Sequence, residues 1–288
     1  MIDSGFEFVD VSKCYSGKPA LAHVSMRIPV GPHTAILGPS GCGKSTVLRL
    51  LAGLEQPTTG SILLNGQTLS TAQRIIRPPH ERGIAMLFQD LALWPNLTTR
   101  ENIRLGLAGL RLTRQESSHR LREALELCGI ADLADRYPSQ LSGGQQQRAA
   151  LARAIAVQPR FLLLDEPFSS IDLGTKSRLL GDIADLARNR QFQVVLVSHD
   201  PAEALTICEN AILLDQGTVQ ASGKLGELLS TSNCEPFVSF RRIQTRFERP
   251  EELATTGKVS QERLGSGYPV TGDPTASPRP SSGLASDR

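Results

Sequence analysis

One stretch constrains this chain more than any other: Gly38, Pro39, Ser40, Gly41, Cys42, Gly43, Lys44, Ser45 and Thr46. It follows the apolar run Thr34-Ala-Ile-Leu and precedes Val47-Leu48-Arg-Leu50-Leu51-Ala-Gly53-Leu54, whose apolar spacing suits a helix that Gly53 could end. A strand should therefore feed a helix through a glycine loop of the form G-x-x-x-x-G-K-[ST]. In such a loop successive backbone N–H groups turn inward around phosphates, Lys44 reaches the terminal ones and Ser45 offers its hydroxyl to Mg²⁺. The positive end of the helix dipole favours the same ligand. A nucleoside triphosphate with Mg²⁺ is the expected occupant.

Other residues fit that chemistry. Phe161-Leu-Leu-Leu reads as a buried strand with Asp165 and Glu166 at its carboxyl end, where ligands sit in open α/β sheets. Asp165 is placed to hold Mg²⁺ through water. Side chains alternate along an extended chain, so Glu166 should point elsewhere and act as general base for an attacking water. His199 follows the strand Val194–Val197 and could hydrogen-bond a γ-phosphate or that water. Gln89, after Met86-Leu-Phe88, is a neutral candidate for Mg²⁺ or water. Leu141, Ser142, Gly143, Gly144 and Gln145 precede a helix expected over Gln146–Val157, a second start suited to phosphate. One γ-phosphate does not easily sit on two helix starts from separate subdomains of one chain. A head-to-tail dimer holding two nucleotides between copies is the expected solution. Taken singly, each feature has a bland reading: an Asp-Glu pair opening a loop, a strand-end histidine, a surface glutamine, a glycine-rich cap.

With Lys+Arg 31 against Asp+Glu 29, the formal charge of +2 gives no argument for a nucleic-acid partner. Apolar runs such as Phe161–Leu164 fall far short of the roughly 20 residues that span a bilayer. Met1-Ile-Asp-Ser-Gly lacks a basic leader and a following apolar stretch, which predicts a cytosolic chain. Cysteines 14, 42, 128, 208 and 234 show no metal-ligand spacing and read as reduced thiols.

Alternating residues over Phe6–Val11 and His23–Ile28 predict antiparallel strands. Strands are also expected at Ser61–Leu64 and Gly83–Phe88, and a helical insertion over about 91–137. Beyond it the chain alternates helix and strand, predicting a parallel sheet covered on both faces. Short helices are expected between about 230 and 260, and a disordered tail rich in Ser, Gly and Pro from about 261.

From about Phe6 to Gly226 these motifs resemble the nucleotide-binding subunit of ATP-binding cassette (ABC) transporters. The resemblance implies an α/β fold: a P-loop NTPase (RecA-like) core with an N-terminal antiparallel β subdomain and an inserted α-helical subdomain. It implies a nucleotide-binding domain over 1–240, its helical subdomain at about 91–158, a short extension at 241–260 and a tail at 261–288. It also implies roles: Tyr15 stacks on adenine, Gly38–Thr46 form the Walker A loop, Gln89 the Q-loop and Leu141–Gln145 the signature. Asp165 and Glu166 match the Walker B end and catalytic glutamate, Asp172 the D-loop and His199 the switch histidine. ATP hydrolysis with Mg²⁺ follows, on the inner face of a membrane.

The implied partners are integral membrane permease subunits, a second copy or a paralogous cassette, and, through the permease, an extracytoplasmic solute-binding protein. The segment Phe88–Thr98 and the run Leu141–Arg148 resemble importers of sugars, polyamines, iron(III) or sulfate. Trp94 then lines the groove for a permease helix, or else fills a core. Those importers usually carry a C-terminal β-rich regulatory domain, for which the residues after about Phe240 are too few and too polar. The alternative is a soluble ABC ATPase acting on a cytosolic complex; long heptads or a second cassette would mark one, and neither is present.

Overall fold

The computed structural model describes residues 5–167, 173–231 and 237–238. Strands β1 (Gly5–Tyr15) and β2 (Lys18–Pro29) form an antiparallel hairpin, and β3 (Thr34–Leu37) leads through the glycine loop into α1 (Lys44–Ala52). A second hairpin, β4 (Thr59–Leu64) and β5 (Gln67–Thr71), completes a sheet of order β2-β1-β4-β5. After β6 (Ile84–Leu87) come α2 (Thr99–Leu107), α3 (Arg114–Leu127) and α4 (Gly143–Ala156). The chain then forms β7 (Phe161–Asp165), α5 (Leu173–Arg190), β8 (Gln193–Ser198) and α6 (Pro201–Ile207). A hairpin of β9 (Asn210–Asp215) and β10 (Thr218–Lys224) precedes α7 (Leu225–Thr231).

The six-stranded sheet runs β10-β9-β3-β8-β7-β6, parallel except for the edge strand β10. Its faces are covered by different material. Phe161 and Leu163 of β7 join Ile36, Val195 and Val197 in a core closed by α1 and by Phe6 and Phe8 of the antiparallel sheet. Leu162 and Leu164 face the other way, into a core with α4, α5 and α6. Burial on both faces explains why β7 and β8 are apolar throughout.

Each hairpin turns on two residues ending in glycine. Ser16-Gly17, Asn65-Gly66 and Gln216-Gly217 all have positive φ at both positions, the turn whose twist matches antiparallel strands. α2, α3 and α4 each open with a capping box, pairing Thr98 with Glu101, Thr113 with Glu116 and Ser142 with Gln145. α4 packs on α2 and α3 and also reaches β6, so it joins the helical region to the core. Among the described residues no helix is long and apolar enough to cross a membrane. The extension at 241–260 and the tail at 261–288 lie outside the described residues.

Parallel pairing aligns the carboxyl ends of the central strands. Leu37 lies opposite Ser198, Asp165 opposite Val197 and Leu87 opposite Leu164. The residues after these strands, Gly38, His199, Glu166 and Gln89, therefore gather at one edge.

Candidate active site

The loop after β3 is shaped by glycine. A Cβ on Gly38 would stand 2.0 Å from the Leu214 carbonyl oxygen, and one on Gly43, where φ is +105°, would stand 2.5 Å from that of Ala20. α1 has no side-chain cap at Gly43, unlike α2, α3 and α4, which leaves its first turn open to a ligand's acceptors. That turn faces a cleft of about 360 Å³ lined by Ser40, Gly41 and Gly43–Thr46, with Ala20, Gln89 and Glu166 opposite. Buried Lys44 donates from Nζ to the carbonyl oxygens of Gly38 and Pro39, both at 2.9 Å, and lies 3.5 Å from Glu166 Oε1. Cys42 is buried behind the loop, and burial pushes its thiol pKa upward while the Lys44 charge acts against that rise.

Ser45 Oγ donates to Asp165 Oδ1 at 2.8 Å. Burial raises the Asp165 pKa above the usual carboxylate value; the Ser45 hydrogen bond opposes the rise and the Glu166 charge adds to it. Strand alternation does not set the direction of Glu166. β7 ends at Asp165, and Glu166 adopts φ +42° with its N–H donated to the Val197 carbonyl oxygen at 3.1 Å. A left-handed non-glycine residue is strained, and strain of this kind gathers at functional positions. The turn sends Oε1 toward Lys44 and Oε2 toward His199 Nδ1, 3.8 Å away.

Gln89 is exposed on the cleft wall. Just beyond it Leu91 and Ala92 are both left-handed, with φ +59° and +44°. Arg153 of α4 holds this segment, donating from Nη2 to the Leu91 carbonyl oxygen at 2.8 Å and from Nη1 to that of Ala92. Burial holds the Arg153 pKa below its ordinary value.

Two expected elements do not line the cleft. Tyr15, at the end of β1, is exposed and donates a hydrogen bond from its hydroxyl to Glu55. Ser142 and Gly143 are exposed at the start of α4; Ser142 Oγ accepts the Gln145 N–H, and Gln145 Oε1 accepts the Ser142 N–H. Gly144 and Gln145, half-buried in the same first turn, do not line the cleft either. Asp172 lies outside the described residues. Trp94 is 55% exposed, which excludes the core alternative. Sequence reasoning missed Ala20, Leu214, Glu55 and Arg153, because each meets the site only through the folded chain.

The sequence profile of the family described as "ABC transporter" matches residues 21–169. The chain belongs to the ABC transporter family. This cassette is 37% identical to the "Fe(3+) ions import ATP-binding protein FbpC" of Agrobacterium fabrum, over 90% of this chain and 71% of that protein. It is 43% identical to the protein of that name from Pseudomonas fluorescens, over 78% of this chain and 63% of that one. It is 40% identical to the "Spermidine/putrescine import ATP-binding protein PotA" of Acidothermus cellulolyticus, over 82% and 61%. The cassette thus spans about three-fifths to seven-tenths of the length of these curated relatives.

Among solved structures it resembles the ATP-binding cassette MJ0796, a dimer in a post-hydrolysis state bound to ADP and Pi. The TM-score is 0.68 at 32% identity, covering 76% of this chain and 98% of that one. It also resembles cbiO1 of Clostridium perfringens, part of an ABC transporter complex, with a TM-score of 0.72 at 25% identity, covering 88% and 99%.

Proposed function

We propose that this cassette binds ATP with Mg²⁺, hydrolyses it, and energises import of a solute through separate integral membrane permease subunits. The observation that carries the reading is one glycine-built cleft lined by Lys44, Ser45 and Glu166, with Asp165 hydrogen-bonded to Ser45 and His199 3.8 Å from Glu166. The donors suit the ion: a hydroxyl, a carboxylate and the Gln89 amide are hard oxygen ligands. Such a site needs few protein ligands, because Mg²⁺ takes others from phosphates and water. Held by Ser45, Gln89 and Asp165, Mg²⁺ would neutralise charge on the phosphate oxygens.

The chain's own groups do the rest. Lys44 and the open first turn of α1 bind the phosphates, and Tyr15 stacks on adenine. Glu166 accepts a proton from the attacking water at its carboxylate, and His199 orients that water or the γ-phosphate. The exposed Ser142–Gln145 turn and Asp172 complete the site of a second copy, or of a paralogous cassette, in a head-to-tail dimer. Exposed Trp94 supports docking of a permease helix on the helical subdomain; the relatives' names support import, with a solute-binding protein delivering cargo outside. The cassette then works on the cytoplasmic face of the membrane.

The test is to isolate the tagged Glu166→Gln protein with ATP and Mg²⁺ from detergent-solubilised membranes of its own source and identify what co-purifies. A polytopic permease is expected. Soluble cytosolic partners alone would overturn the transport reading in favour of a non-transport ABC ATPase.

A further inference from the structure

Tyr15 closes β1 immediately before the Ser16-Gly17 turn, and nothing in the sheet pairing fixes an exposed ring there. Its orientation comes from elsewhere. The hydroxyl donates to Glu55 Oε2, and the Lys13 ammonium stands 5.1 Å from the ring centroid. Lys13 is itself held, 3.0 Å from Glu55 Oε2 and 3.0 Å from the Gln56 carbonyl oxygen. One carboxylate therefore grips both the polar edge of the ring and the cation beside it.

Glu55 is in turn placed by the end of α1. Gly53 adopts φ +74°, its N–H donates to the Leu50 carbonyl oxygen, and the Leu54 N–H donates to that of Arg49, which is a Schellman closure. Arg49 lies 3.7 Å from Glu55 Oε1. Glu55, just past the end of the helix that begins at Lys44, thus anchors Tyr15, 40 residues earlier in the chain.

We propose that Glu55 is a positioning residue for the purine base: it holds the Tyr15 ring and Lys13 in a fixed arrangement beside the phosphate loop, so that the free ring face is set for stacking. This rests on the ATP-binding reading above and deepens it. Stacking favours a ring whose plane is already set, because ordering it on binding costs affinity. Glu55 does not line the phosphate cleft, so its main effect is expected on the base.

The test compares equilibrium binding of Mg-ATP and of inorganic tripolyphosphate with Mg²⁺ to the full chain, alongside steady-state hydrolysis. Tyr15→Phe keeps the ring and removes the anchored hydroxyl; Glu55→Ala removes the anchor; Glu55→Gln keeps an acceptor. Losing one such hydrogen bond should weaken ATP binding about five-fold. Tyr15→Phe and Glu55→Ala should each do so, the double variant should be no weaker than either, and Glu55→Gln should lie near the parent. Tripolyphosphate binding should be unchanged, and Glu55→Ala should raise KM while retaining kcat. Parental ATP affinity in both single variants, equal weakening toward tripolyphosphate, or additive losses would overturn the anchor role while leaving ATP binding established. A parent protein that binds tripolyphosphate and shows no preference for ATP would overturn the stacking reading of Tyr15 and the anchor with it.

Discussion

Ser45 and Asp165 lie 120 residues apart and meet through a 2.8 Å hydrogen bond, tying the first turn of α1 to the end of β7. The contact brings a hydroxyl and a carboxylate together in a place where the carboxylate is expensive. Asp165 is 5% exposed and burial raises its pKa. The folded state therefore binds its proton more readily than the unfolded chain, so this residue lowers stability as pH rises from the ordinary carboxylate value through the raised one.

Asp165→Asn should accordingly stabilise the protein at neutral pH by about 1 kcal/mol, as removal of a functional group from a costly site commonly does. The same variant should lose Mg²⁺-dependent hydrolysis. Thermal unfolding in EDTA and a phosphate-release assay measure the two halves; a destabilised variant would show that the carboxylate is structural.

His33 gives the opposite slope. Its Nδ1 accepts the Val194 N–H at 3.1 Å, so the ring is neutral, and burial lowers its pKa while Glu209 opposes that. The unfolded state then binds the proton more readily. Stability should be full above about pH 6.5 and fall as pH drops below it. In His33→Asn this His-dependent part of the slope should vanish, with about 1 kcal/mol lost at pH 8. Denaturant midpoints across that range provide the check.

Arg153 compensates two consecutive strained residues, Leu91 and Ala92, next to Gln89. Arg153→Met should cost about 1–3 kcal/mol and speed amide exchange over residues 88–93 more than in the sheet. Unchanged exchange in that segment would show that the left-handed turn is held without the guanidinium.

Arg82 is 2% exposed and makes five hydrogen bonds, to the carbonyl oxygens of Leu50, Leu51, Leu69 and Arg77 and to Ser70 Oγ. No carboxylate is among those acceptors, and burial lowers its pKa to about 10. A Cβ on Gly53 would fall 2.5 Å from its guanidinium carbon, at a position that already has φ +74°. Gly53→Ala should therefore cost more than the roughly 1–2 kcal/mol of left-handed strain alone. Urea unfolding of that variant beside Gly66→Ala, where φ is +76° and the space is open, separates strain from collision.

The core of this fold was legible because its strands are buried on both faces. Thr34–Leu37 was read with its observed limits, Phe161–Leu164 fell one residue short, and Val194–Val197 fell one short at each end. The helix after the glycine loop and its end at Gly53 were equally clear. The β4–β5 and β9–β10 hairpins went unread, although Asn65-Gly66 is a strong local turn signal. β5 and β10 are edge strands carrying polar residues such as Gln67, Thr68, Gln220 and Ser222, so apolar alternation hardly marks them. In the site, the residues named from sequence were those with a motif of their own; Glu55 and Arg153 make contacts between 40 and 62 residues distant in sequence. Alternation could not give the direction of Glu166, because a single left-handed residue leaves no mark in an apolar pattern.

Phosphate release from ATP by the purified full chain with Mg²⁺, parent against Glu166→Gln, decides whether this carboxylate drives hydrolysis. Turnover by the parent, a loss of at least about 100-fold in the variant, and retained ATP binding in both are expected. A Glu166→Gln protein that hydrolyses ATP at the parental rate would contradict that role.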